Sequence, residues 1–402
     1  MPIAKFLTAS LLLAAALDAQ SIAGRWACTV AVNGNEVPFQ MEFSGTGAAV
    51  VGNFFNGDGR VTSTGGQLSE GTLRLEFDQY ATRLEATLSD GALQGRYGRE
   101  GRWYPFHALR AAPAPPAPAG AIPNIDGLWE IPTKSSKGEA AWRFIVRQRG
   151  AELSAAILRI DGDTGTLNGG WRDGKFVLSH FSGARPNLIE VTPAADGTLT
   201  LLQNGRTTLT AIRPASARAQ GLAEPTDAFH HTSVKDPAAP LSFAFPDLDG
   251  GTVSLADARF RGKVVVVAIS GSWCPNCHDE APFLEDLYRR YREQGLEVIA
   301  LSFEEGDQLK ALTRLRAFIR QYGIDYTVLV PGEPGQLAEK LPQAENLNSW
   351  PTTFFLGRDG RVRGVHAGFA GRASGEFHTQ TEHEVKELVE RLLAESTSAA
   401  AR

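Results

Sequence analysis

Cys274 and Cys277 are two thiols separated by two residues, in the run Trp273-Cys274-Pro275-Asn276-Cys277. On one helical turn that spacing brings both sulfurs to one side, close enough to join as a disulfide. The pair can therefore store and release two electrons. An uninterrupted apolar run, Val264 to Ile269, precedes it. A buried strand thus hands over to a helix at the first cysteine, where unpaired N–H groups and the positive end of the helix dipole stabilise a thiolate. Glu280 follows Cys277 by three residues and falls on the same helical face. A carboxylate buried there has a raised pKa and can accept the proton of Cys277.

Other chemistries compete for the same residues. Cys274-Pro275-Asn276-Cys277-His278 satisfies the attachment signature of c-type haem. Against it stand the strand that precedes the pair and the absence of any Met after Met41 to act as second axial ligand. His278 then reads as a surface residue beside the site. A metal held by Cys274, Cys277 and a distant His378 or His383 lacks enough ligands at a set spacing, and His230-His231 reads as solvated. The expectation is no metal and no cofactor.

The elements that position this pair occupy the last third of the chain. After the cysteines come an amphipathic helix (Phe283, Leu287, Tyr291), a strand over 296–303, a helix over 309–322 and a strand over 326–330. A short helix over 336–341, strands over 353–356 and 362–366, and a helix ending near Leu393 complete the order. Strands alternating with helices predict an α/β domain whose sheet is covered on both faces.

Upstream the period is two. Leu73, Leu75 and Phe77 alternate with Arg74 and Glu76, and Asn56-Gly57-Asp58-Gly59 and Asp161-Gly162-Asp163 read as hairpin turns. Ile22-x-Gly24-x-Trp26 recurs as Ile125-x-Gly127-x-Trp129. Gly71-Thr72-Leu73-Arg74-Leu75 recurs at the same offset as Gly174-Lys175-Phe176-Val177-Leu178. Such anchors in register predict two duplicated antiparallel all-β domains, barrel- or sandwich-like, of roughly eight strands each. Their role is read as non-catalytic interaction or scaffolding, with a ligand- or substrate-presenting module as the alternative.

At 402 residues the chain has room for two to three domains, and its net charge of -5 gives no reason to expect nucleic acid as a partner, so none is expected. With only three cysteines no disulfide framework holds the fold, and Cys28 reads as a buried free thiol. Lys5 followed by apolar residues from Phe6 to Leu17 reads as a secretory signal over 1–20, too short to leave a transmembrane span after cleavage. The expected organisation is signal 1–20, first β domain 21–111, Pro/Ala linker 112–123, second β domain 124–213, linker 214–239 and redox domain 240–396.

The final third resembles the thioredoxin superfamily, and within it the TlpA/ResA-like branch of thiol-disulfide oxidoreductases. The likeness rests on Phe245-Pro246-Asp247, Arg261-Gly262-Lys263 leading into the apolar strand, Trp273-Cys274-x-x-Cys277, Cys277-x-x-Glu280-x-Pro282 and Trp350-Pro351-Thr352-Thr353. It implies a thioredoxin-like fold and an exported enzyme that reduces disulfides of exported proteins, fed by a membrane dithiol donor. Oxidase and isomerase share the same residues, so direction stays open. The resemblance makes Cys274 the nucleophile, Cys277 the resolving thiol and Glu280 the acid/base, since Ala268 stands where thioredoxins carry a buried Asp. It makes Pro351 a cis-proline that presents backbone to substrate. Trp273, Pro275, Asn276 and Trp350 would line the groove or tune the potential. Peroxidases of this fold need Thr or Ser three positions before the reactive Cys and Pro four further upstream; Gly271 and Val267 stand there instead.

Overall fold

The computed structural model describes residues 21–112 and 120–395. The expected secretory signal over 1–20 and most of the Pro/Ala linker lie outside these residues. Among the described residues no helix is long and apolar enough to cross a membrane.

The first β domain is one nine-stranded antiparallel sheet. Its first strand, Gly24–Val32, pairs with both the second (Asn35–Ser44) and the last (Arg102–Arg110), which leaves Gly59–Thr62 and Gly65–Ser69 as its edges. The alternation legible in Thr72–Phe77 sends Leu73, Leu75 and Phe77 into the core. The second β domain is also a nine-stranded antiparallel sheet. Backbone pairing of Glu130 with Ile212 brings its ends together, and a two-residue strand (Gly162–Asp163) folds back on Glu152–Arg159. Both domains open on the same device. The Trp26 indole N–H donates to the Ile22 carbonyl with Arg110 over the ring, and Trp129 donates to Ile125 with Arg213 over it.

The two β domains are not beads on a linker. Phe181 of the second is fully buried in the core of the first, with ring centroids 5.4 Å from Phe54 and 5.3 Å from Tyr97. The Tyr97 hydroxyl donates to the Gly183 carbonyl at 2.8 Å, so the phenol is satisfied where it is buried. The 214–239 connection is also structured. It holds a short helix (Pro214–Ala219) and a strand (Ser233–Val234) that pairs with Ala344–Glu345. His231, expected to be solvated, is buried at 2.8 Å from the Asn348 amide oxygen; His230 is exposed.

In the C-terminal domain we label β1 (Val264–Ser270), α1 (Pro275–Tyr291), β2 (Leu296–Ser302), α2 (Thr313–Tyr322), β3 (Thr327–Leu329), β4 (Thr352–Leu356), β5 (Val362–Ala367) and α3 (Glu376–Ala394). The sheet order is β3-β2-β1-β4-β5, parallel through β1, β2 and β3, with β4 antiparallel to β1. Every residue of β1 is buried, as expected of a central strand with both faces covered. Val264, Val266 and Ala268 meet α1, α2 and α3, whereas Val265, Val267 and Ile269 meet Phe243, Phe245, Phe260 and the short helix at Leu337. The second face is thus covered mainly by the opening hairpin. Helix α2 starts four residues later than the periodicity predicts, because Leu312 sits at φ +53°, outside the helical region.

Candidate active site

Strand β1 ends in the core, and the chain turns at Gly271–Trp273 so that Cys274 becomes the N-cap of α1 with Pro275 in its first turn. Pro suits that place because its missing N–H would have no helical partner. The Cys277 amide donates to the Cys274 sulfur at 3.3 Å, and the Cys274 thiol points at the Trp350 carbonyl at 3.6 Å. Both cysteines are free thiols, 0% and 1% exposed. Burial, with Cys274 and Glu280 close by, pushes the Cys277 thiol well up, so it cannot ionise alone near neutral pH.

Glu280 lies one turn on, buried, and accepts a hydrogen bond from the Thr353 hydroxyl at 2.7 Å. Burial pushes its carboxyl up to about 8. Thr353 is the residue opposite Ala268 in the β1–β4 register. The strand position that Ala268 occupies therefore faces the hydroxyl that holds the carboxylate on α1. A proton acceptor that titrates near neutrality stands beside a thiol that needs one.

Trp350 precedes Pro351 across a cis peptide bond. Its ring packs against Trp273 (5.2 Å between centroids) and Phe303 (5.7 Å), and Trp273 donates to the Phe303 carbonyl at 3.0 Å. At Gly271 a side chain is excluded: a Cβ would lie 2.4 Å from the Trp273 indole nitrogen and 2.8 Å from the Phe303 carbonyl. The Thr or Ser of a peroxide pocket has no room there.

His278 is not the surface residue its position suggested. It is buried, with Nε2 at 2.9 Å from the Ser272 carbonyl and Nδ1 at 2.9 Å from the Tyr322 hydroxyl. A carbonyl can only accept, so Nε2 carries the proton and Nδ1 accepts from Tyr322. Burial lowers the ring to about 4, and Tyr80 of the first β domain lies on it at 4.6 Å. With both nitrogens engaged, neither is free to ligate a haem iron. Among the described residues no group of three or more His, Cys, Asp or Glu side chains is placed to hold a metal ion.

Sequence reasoning missed the support beneath the redox loop. Glu304 accepts from the Ser272 amide (2.9 Å), the Ser272 hydroxyl (2.6 Å) and Arg314 (3.0 Å), all buried. Arg314 also reaches Glu305, which Arg99 of the first β domain contacts at 2.9 Å. The available signal was a Glu-Glu pair directly after an apolar strand. Arg314→Leu strands Glu304 as an uncompensated buried charge and is expected to lower stability by about 3–5 kcal/mol, read by urea unfolding. A loss under about 1 kcal/mol would show that the network carries little.

Residues 234–365 match the AhpC/TSA family. The same C-terminal segment is similar to the thiol-disulfide oxidoreductase ResA of Bacillus anthracis, 33% identical over 121 residues, which are 30% of this chain and 63% of that protein. ResA of Geobacillus kaustophilus is 27% identical over 139 residues, 35% of this chain and 73% of its own length. The chain spans 63% of the length of the first of these relatives. Among solved structures, a putative thiol:disulfide interchange protein DsbE from Chlorobium tepidum aligns at 24% identity and TM-score 0.32, over 40% of this chain and 100% of that one.

Proposed function

From a C-terminal domain that is thioredoxin-like and of the AhpC/TSA family, we propose that this chain is an extracytoplasmic thiol-disulfide oxidoreductase working as a reductant. The observation that carries the reading is the set of Cys274 capping α1, Cys277 buried behind it, and Glu280 held at a proton affinity of about 8.

In this reading the Cys274 thiolate attacks a substrate disulfide. One substrate sulfur bonds to Cys274 and the other leaves, taking a proton. Cys277 gives its proton to the Glu280 carboxylate and attacks the Cys274 sulfur. The mixed disulfide breaks, the second substrate sulfur leaves as a thiol, and Cys274 and Cys277 are joined. Two electrons have passed to the substrate, and a dithiol donor at the membrane restores the pair. Disulfides of exported proteins are the proposed substrates. The apolar stretch from Phe6 to Leu17 supports export. The repeated Trp-on-Ile device supports reading the two β domains as copies of one ancestor. The Trp350–Pro351 backbone beside Cys274 is the proposed edge against which an extended substrate pairs.

The test is the equilibrium of the Cys274–Cys277 couple against glutathione. A potential well below about -200 mV is expected; one near -120 mV would make the protein an oxidant instead.

A further inference from the structure

We propose that the turn at Ile160–Asp163 of the second β domain is a built-in occupant of the substrate groove, so that the protein is autoinhibited until that domain lifts away. The inference rests on the redox reading above and concerns the regulation of the same site.

The backbone that should receive an extended substrate is already engaged. The Trp350 amide donates to the Asp161 carboxylate at 3.0 Å, and the Ser349 hydroxyl donates to the same oxygen at 3.0 Å. Lys137 of the second β domain pairs with that carboxylate and offsets its charge. On the cysteine side, the Asn276 amide donates to the Asp161 carbonyl at 3.0 Å, and the Phe369 amide reaches it at 3.2 Å. Gly162 pairs with Phe369 as an added strand residue would. Two residues on, Asp163 accepts from the Ser374 hydroxyl (2.7 Å) and amide (3.1 Å). The turn thus contacts the helix mouth, the Pro351 loop and the loop before α3 together; Trp350, whose amide it holds, also receives the Cys274 thiol on its carbonyl, and Cys274 is 0% exposed.

Both sides are shaped for this approach. A Cβ on Gly368 (φ +72°) would lie 1.8 Å from the Ile160 carbonyl, and one on Gly162 (φ +128°) would lie 2.2 Å from that of Phe369. Only glycine allows backbones so close while keeping positive φ. The clasp is polar, and a cavity of about 500 Å³ lined by Tyr80, Arg159, Asp163, Asn276 and Arg372 flanks it. Its groups can therefore exchange these bonds for water when the turn lifts. A small apolar patch beside it, where Ile145 and Leu158 meet Ala370, keeps the domains in register.

The test is the alkylation rate of each cysteine in reduced full-length protein, by iodoacetamide and by a bulky maleimide, located by peptide mass spectrometry. Asp161→Ala removes the charge-assisted contacts and is expected to speed Cys274 labelling about tenfold, with reduction of a protein disulfide rising in parallel. Cys28, buried in the first β domain, reports intactness and should stay protected. Unchanged Cys274 labelling with Cys28 protected would overturn the proposal. Should Asp161→Ala expose Cys28, Lys137→Ala decides by the same criterion. Failure of oxidised glutathione to join Cys274 to Cys277, with its own release as two thiols, in either protein would overturn the redox reading, and the autoinhibition with it.

Discussion

Cys277→Ser is expected to leave the protein covalently bound to its substrate, whereas Cys274→Ser should reduce exchange to the level of the uncatalysed reaction. The asymmetry follows from position. Cys274 caps α1, and its sulfur accepts the Cys277 amide at 3.3 Å. Cys277 is buried with its thiol pushed well up, so it serves only once a neighbour has taken its proton. Without Cys277 the mixed disulfide has no internal attacker and persists on the timescale of outside thiols. Non-reducing electrophoresis with mass spectrometry of the conjugate reads the result. If the Cys277→Ser protein forms no adduct and Cys274→Ser retains turnover, the order of attack is reversed.

Glu280→Gln should separate function from stability in opposite directions. Burial pushes the carboxyl up to about 8 in the fold from the 4.5 of an ordinary glutamate, the value it regains on unfolding. Between those values the folded protein holds a proton that the unfolded chain has released. The contribution of Glu280 is thus fully present below pH 4.5 and is lost as pH rises toward 8. The slope is about 1.4 kcal/mol per pH unit, roughly 5 kcal/mol across the window. Glutamine keeps the shape without the charge, so the variant should match the native protein near pH 4.5 and exceed it in urea resistance at pH 8. Resolution of the mixed disulfide should meanwhile slow by about a hundredfold and lose its inflection near pH 8. Equal pH–rate profiles for the two proteins would remove Glu280 from proton transfer.

The redox centre was legible because its signals are local. Cys274, Cys277 and Glu280 share one helix, and the apolar run of β1 announces the strand that delivers them. Pro351 and Trp350 were found through a motif. The contacts of Asp161 were not, since its neighbours Asp-Gly-Asp spell a hairpin turn, which they also form, while its partners Asn276 and Trp350 lie 115 and 189 residues away. His278 was misplaced for a similar reason: its cover comes from elsewhere in the chain, from Phe318 and Tyr322 of α2 and from the distant Tyr80. Period-two alternation gave the β domains their strands. It says nothing of which side chain will cross from one sheet to the next, so the site of Phe181 was hidden.

That crossing ring has a mechanical meaning. Because Phe181 is seated among Phe39, Phe54 and Tyr97, the paired sheets must travel as a single panel. A movement that uncovers the sulfurs therefore also peels Tyr80 off His278 and parts Arg99 from Glu305. The hatch swings whole or stays shut.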